Sequence, residues 1–135
     1  MDKVRFLSVE EVLQIHDDTI ARDGGLTGIR DLGLLDSAVA MPRQQFDDKY
    51  LHEDVLAMAA AYLFHITNNH AFHDGNKRAA VMSAYVFMDV NGVELPDPPG
   101  KFKKELERLT VGVAASRINK DQLTAGLRKF LNNPK

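Results

Sequence analysis

Apolar residues recur at helical spacing along most of this chain, and polar or glycine-rich breaks divide the pattern into six stretches. Ser8 followed by Glu11 has capping-box spacing, and Val12, Leu13, His16 and Ile20 then share one face, which predicts a helix over about residues 8–22. Asp23-Gly24-Gly25-Leu26-Thr27-Gly28 ends it in a loop. Asp31 can cap a second helix through Leu34, Leu35, Ala38 and Val39, which Pro42 limits because a proline disfavours the α conformation in the residue before it. Residues 42–53 are polar, with Phe46 and Tyr50 as isolated aromatics, and read as an exposed loop or short hairpin. Asp54 then caps a third helix with the stripe Leu56, Ala59, Ala60, Leu63 and Ile66. Its many alanines allow close approach by neighbours, so it is the predicted central helix.

A fourth helix follows over about Asn76 to Val90, with Val81, Ala84, Tyr85 and Met88 on one face and Asn91-Gly92 as its stop. Val93-Glu94-Leu95 is too short to be more than an edge strand, and Pro96 to Gly100 form a turn. Phe102, Leu106, Leu109 and Val113 define a fifth helix. Asn119 caps a sixth, with Ile118 and Leu123 at the positions of a hydrophobic staple. The pattern predicts an all-α bundle of about six helices with a short loop or hairpin flap.

With 135 residues the chain has the length of one domain, 1–135, and 44% hydrophobic against 27% charged residues is a globular composition. Seventeen Lys and Arg against nineteen Asp and Glu leave a formal charge of −2, so no overall field selects nucleic acid or an anionic membrane. The absence of Cys excludes disulfides, thiolate zinc sites and cysteine nucleophiles, and fits a reducing compartment. Met1 to Glu11 lack the apolar run of a signal peptide, and no stretch approaches the roughly 18 apolar residues of a membrane span. The expectation is a cytoplasmic protein with no direct nucleic-acid or membrane binding.

The stretch His70-Ala71-Phe72-His73-Asp74-Gly75-Asn76-Lys77-Arg78 places a base, an acid, a glycine and two cations just ahead of a helix start. Backbone N–H groups at Gly75, Asn76 and Lys77 can cradle an anion, and Lys77 and Arg78 add full charges. Asp74 is a hard oxygen ligand suited to Mg²⁺, and His70 can take the proton of an attacking hydroxyl. On spacing alone a phosphate site and an ordinary polar loop both remain open. Phe72 favours the first, because an aromatic in so polar a loop packs inward and pins the backbone.

This stretch closely resembles the signature of the Fic/Doc family: His-Pro-Phe, a variable residue, Asp or Glu, Gly, Asn, Gly or Lys, then Arg. Ile15-His16-Asp17 and Gly24-Gly25-Leu26-Thr27-Gly28-Ile29-Arg30-Asp31 also resemble the N-terminal segment of the Doc, or death-on-curing, branch. The resemblance implies a helical bundle whose motif loop binds ATP with Mg²⁺. By it, His70, Asp74 and Asn76 are assigned to catalysis, with His70 as the base and Asp74 as the metal ligand. Gly75, Asn76, Lys77 and Arg78 are assigned to the nucleotide. Phe72 matches the family's buried aromatic.

Three positions depart from the adenylyl-transferring members. Lys77 replaces their Gly, Ala71 their Pro, and Val81 a second Arg. Resemblance to the Doc branch implies instead a protein kinase that passes the γ-phosphate of ATP to a threonine of elongation factor Tu, arrests translation, and is neutralised by a small antitoxin encoded nearby. The family's internal inhibitory motif ends in Glu followed by Gly or Asn, and no Glu here is so followed. An external brake is therefore expected.

Alternatives from other classes are an AMP transferase, an HD-type metal phosphohydrolase built on His16-Asp17 or His73-Asp74 with His65, and a catalytically silent binding module. His16, on the apolar face of the first helix, reads as a hydrogen-bonded structural histidine and is left out of the site. Lys101, Lys103 and Lys104 read as a solvated face. Gly24, Gly25 and Gly28 read as turn residues. Phe46 and Tyr50 are either loop anchors or part of the family's flap, which aligns a target peptide by strand addition.

Overall fold

Side-chain caps start four of the helices where the sequence places them. In the structure, a computed structural model that describes residues 3–131, the Ser8 hydroxyl accepts the Glu11 N–H at 3.1 Å while the Glu11 carboxylate accepts the Ser8 N–H at 2.9 Å. Helix α1 then runs Val9–Asp23. The Asp31 carboxylate caps α2, Leu32–Ala40, through the Leu34 N–H at 3.0 Å. Asp54 caps α3, Val55–Asn69, through the Ala57 N–H at 2.9 Å. Asn119 and Gln122 form a second capping box at the head of α6, Lys120–Phe130. Helices α4, Asn76–Val90, and α5, Gly100–Ala114, begin with no side-chain cap. The predicted six-helix, all-α class is the one observed, and the predicted domain, 1–135, extends past the described residues at both ends.

Helix α3 is central, as its alanines predict. Nine of its residues are buried, leaving only the side of Ala57, Phe64 and Asn68 open, and α2, α4, α5 and α6 all pack against it. Its Tyr62 is buried deeply enough to push the phenol up to about 12. The hydroxyl accepts the Leu7 N–H at 2.8 Å, fastening the segment before α1 to the core.

Of the two readings for residues 42–53, the hairpin is the one that forms. After a 3-10 turn at Met41–Arg43, strands β1 (Gln45–Phe46) and β2 (Lys49–Tyr50) pair antiparallel. Asp47 and Asp48 join them with φ of 55° and 63°, two positive values in a row, as a type I′ turn requires. The Tyr50 ring anchors the hairpin at 5.6 Å from that of Phe6, whereas Phe46 is 75% exposed. Val93-Glu94-Leu95 forms no strand. Ile118 lies over Gly112 of α5, whose missing Cβ makes the room. Among the described residues no helix is long and apolar enough to cross a membrane.

Helix α6 is held to α3 by a contact that depends on a neutral histidine. The Lys120 ammonium lies 3.0 Å from His65 Nε2, so the lysine donates and the imidazole accepts. Burial, then the charge of Lys120 and the neighbouring His52, push His65 down to about 4. An unfolded-chain imidazole titrates near 6.5, so between about pH 6.5 and 4 the unfolded state binds the extra proton. Stability contributed by neutral His65 is therefore present at pH 7 and drains away as pH falls through that window. Because the ring is only half-buried, we expect a discounted loss of roughly 1–2 kcal/mol. Chemical denaturation at pH 7 and pH 4.5 should show it, and His65→Gln, which keeps an acceptor for Lys120, should flatten the slope. An equal slope in the variant would remove His65 as its source.

Candidate functional site

The motif loop joins α3 to α4 and is framed by the chain between α1 and α2. His70 ends α3 in the left-handed region, φ 52° and ψ 47°, which for a residue other than glycine costs roughly 1–2 kcal/mol. What holds it there is Arg30, whose guanidinium donates to the His70 carbonyl from Nε at 2.9 Å and from Nη2 at 2.5 Å. The Arg30 and Asp31 N–H groups both donate to the Ala71 carbonyl, at 2.7 and 3.0 Å. Ile29 pairs with Phe72 as an isolated antiparallel bridge, and the His73 N–H reaches the Gly28 carbonyl at 3.4 Å. With its backbone fixed in this way, the loop leaves the side chains of His70 and His73 exposed.

Phe72 is buried, as its apolar character predicts, and stacks on the His16 ring at 3.7 Å between centroids. Asn76 clasps the same residue: its side-chain oxygen accepts the Phe72 N–H and its amide nitrogen donates to the Phe72 carbonyl, both at 3.0 Å. The Asn76 side chain is thus committed to the loop, and the group it presents for anion binding is its backbone N–H.

Asp74 and Gly75 sit at the head of α4. One Asp74 oxygen accepts the Leu26 N–H at 3.1 Å and the other the Gly75 N–H at 2.9 Å. These two backbone donors, the Leu26 bond foremost, hold the carboxyl below the usual carboxylate range, with the Arg78 guanidinium assisting. Gly75 has φ +77°, a conformation that favours glycine. The N–H groups of Asn76, Lys77 and Arg78 have no acceptor among the described residues, so α4 opens on an uncapped, electropositive end.

Two hollows meet at this end. One, of about 320 Å³, is lined by Thr67, His70, His73, Asp74 and the first residues of α4. The other, of about 520 Å³, lies between α4 and α5 and combines apolar Val81, Met82 and Val111 with the cations Arg22 and Lys103. Lys77 and Arg78 line both. Lys103, read from sequence as part of a solvated face, therefore borders the site, with its ammonium 5.0 Å from the Tyr85 ring centroid.

The sequence reading brings together His70, Asp74, Gly75, Asn76, Lys77 and Arg78, and the structure gathers them around one hollow. It missed what frames them. A Cβ on Gly25 would lie 2.7 Å from an Asp74 oxygen and 3.2 Å from Arg78 Nη2, so this glycine permits a close approach to the site beyond making a turn. Its place within the second segment of family resemblance was the available signal, and by composition alone it reads as a turn glycine. Arg30, which holds the His70 carbonyl, had none beyond that segment.

Among the described residues no group of three His, Asp or Glu side chains gathers as a metal site. His16 donates to a backbone carbonyl and His73 is exposed, so neither His-Asp pair builds the ligand set of the HD alternative. A single ionised carboxylate, Asp74, whose two oxygens each keep a lone pair, instead fits an ion that arrives with phosphate oxygens.

Fold and site together define a helical bundle built around an uncapped helix start with a histidine and a carboxylate on the rim of the hollow beside it. The chain belongs to the Fic/DOC family, whose profile matches residues 6–88. It is 34% identical over 127 residues to "Protein kinase doc" of Escherichia phage P1, covering 94% of this chain and 96% of that one. It is also 43% identical over 72 residues to "Toxin Doc" of Mycolicibacterium smegmatis, covering 53% and 55%. Both names lie in the Doc toxin branch.

Proposed function

We propose that this chain is a Doc-type toxin that transfers the γ-phosphate of ATP to a protein hydroxyl, with a threonine of elongation factor Tu as the target and arrest of translation as the outcome. The observation that carries the reading is the uncapped start of α4 opening on the hollow that His70 and Asp74 also line. The name of the phage relative supports a kinase. His70 takes the proton from the target hydroxyl as its oxygen bonds to the γ-phosphorus, and the bond from that phosphorus to the β-phosphate oxygen breaks to release ADP. The N–H groups at the head of α4, with Lys77 and Arg78, hold the phosphates and offset their charge. Asp74 would hold Mg²⁺, which when bound neutralises charge on the phosphates. A small antitoxin encoded nearby supplies the brake that this chain's own sequence lacks.

Lys77 and Val81, in place of the Gly and Arg of adenylyl-transferring members, favour phosphate over AMP transfer. Incubating the protein and a bacterial lysate with ATP labelled separately at the α and γ positions tests this. We expect γ-label alone on a single band the size of elongation factor Tu. Label from the α position would replace the kinase reading with AMP transfer, and γ-label on another band would replace the target.

A further inference from the structure

His16 is buried in α1, 58 residues before Asp74, yet its Nε2 lies 2.7 Å from the Asp74 carbonyl oxygen. A carbonyl can only accept, so Nε2 carries the hydrogen. The ring is nearly parallel to Phe72, at 4° and 3.7 Å, and its Nε2 sits 3.4 Å from where a Cβ on Gly75 would lie. It therefore touches three parts of the motif: the pinning aromatic Phe72, the Asp74 carbonyl and Gly75, which precedes α4.

We propose that His16 is a positioning residue that sets the polarity of the phosphate cradle by holding the Asp74–Gly75 peptide in one orientation, an inference that rests on the phosphate-site reading above. In a trans peptide the C=O and N–H point in opposite directions. With the carbonyl drawn toward α1, the Gly75 N–H faces the other way and donates to the Asp74 carboxylate at 2.9 Å. Glycine occupies positive and negative φ about equally well, so Gly75 offers little resistance of its own to a flip of this peptide. A flip would turn a carbonyl oxygen toward the Asp74 carboxylate on the rim of the hollow and withdraw the donor that now holds it. The hydrogen bond from His16 selects against that state, which a ring serving only to fill the core would not do.

The test separates the donor from the ring. His16→Phe keeps the stacked ring and loses the donor; His16→Gln keeps an amide donor of similar reach and loses the ring. Binding of inorganic phosphate is followed through the Gly75 and Asn76 amide signals of ¹⁵N-labelled protein, beside thermal unfolding of each variant. We expect phosphate affinity to fall roughly tenfold in His16→Phe, the scale of one lost hydrogen bond, and to be largely retained in His16→Gln. Wild-type affinity in His16→Phe, or equal losses in both variants that follow their loss of stability, would overturn the proposal. Imidazole ¹⁵N shifts of the wild type give a check that needs no variant: a hydrogen on Nε2 is expected, and one on Nδ1 alone would also overturn it. Phosphate binding is scored independently of transfer, so a protein that binds phosphate through His16 but moves no γ-label leaves this inference standing and sinks the kinase reading. A wild type that binds no phosphate removes the cradle and the role of His16 with it.

Discussion

Replacing His70 with alanine should slow phosphoryl transfer by roughly 10²-fold or more, the usual scale for loss of a general base, while nucleotide affinity changes little. The geometry makes this a clean substitution. The His70 backbone is held through its carbonyl by Arg30, and Ala71 by the N–H groups of Arg30 and Asp31, so the loop does not depend on the imidazole for its shape. Asparagine tolerates the left-handed region better than alanine, so His70→Asn provides a second variant with less backbone strain. Single-turnover transfer of γ-label, measured beside nucleotide binding, decides the matter. Losses of equal size in rate and affinity would move His70 from base to binding group, and an unchanged rate would remove it from the mechanism. Asp74→Asn should behave differently, lowering the rate and removing its dependence on Mg²⁺ concentration, because in the proposed mechanism that carboxylate would act through the metal and phosphates.

Expression of the wild-type chain alone should arrest growth of a bacterial host, and His70→Ala at the same soluble level should not. Membership of the Doc toxin branch motivates the expectation, as does the lack of any Glu followed by Gly or Asn to serve as an internal inhibitor. Co-expression of the small protein encoded beside it should restore growth without unfolding the toxin. Growth curves with matched soluble protein are the measurement. If wild type and His70→Ala were equally harmless in several hosts, the toxin function would fail even with the nucleotide site intact. If both arrested growth equally, the harm would not come from transfer.

Much of the scaffold was legible because its signals are local. Ser8 with Glu11, Asp31, Asp54 and Asn119 cap helices through groups two or three residues away, so their effect is written in adjacent sequence. The stripes of α3 and α5 predicted their buried faces for the same reason. The motif is also contiguous, which is why His70, Asp74 and the head of α4 could be picked out together.

Only the tertiary structure decided how that motif is held. His16, Leu26 and Arg30 reach Asp74 and His70 across 40 to 58 positions of sequence, through contacts that exist only once α1 lies across α4 and the glycine loop folds back over Asp74. Hydrophobic periodicity places His16 on a buried face but carries no information about which polar group waits there. Gly25 is likewise indistinguishable in sequence from any turn glycine until a carboxylate oxygen stands 2.7 Å from its absent Cβ. By itself the sequence determined where the capped helices begin, the apolar stripes they carry and the six candidate residues, His70, Asp74, Gly75, Asn76, Lys77 and Arg78, that lie together in one motif. The packing of α1 and its loop against α4 determined the orientation of those residues, because orientation depends on distant donors that no local pattern encodes.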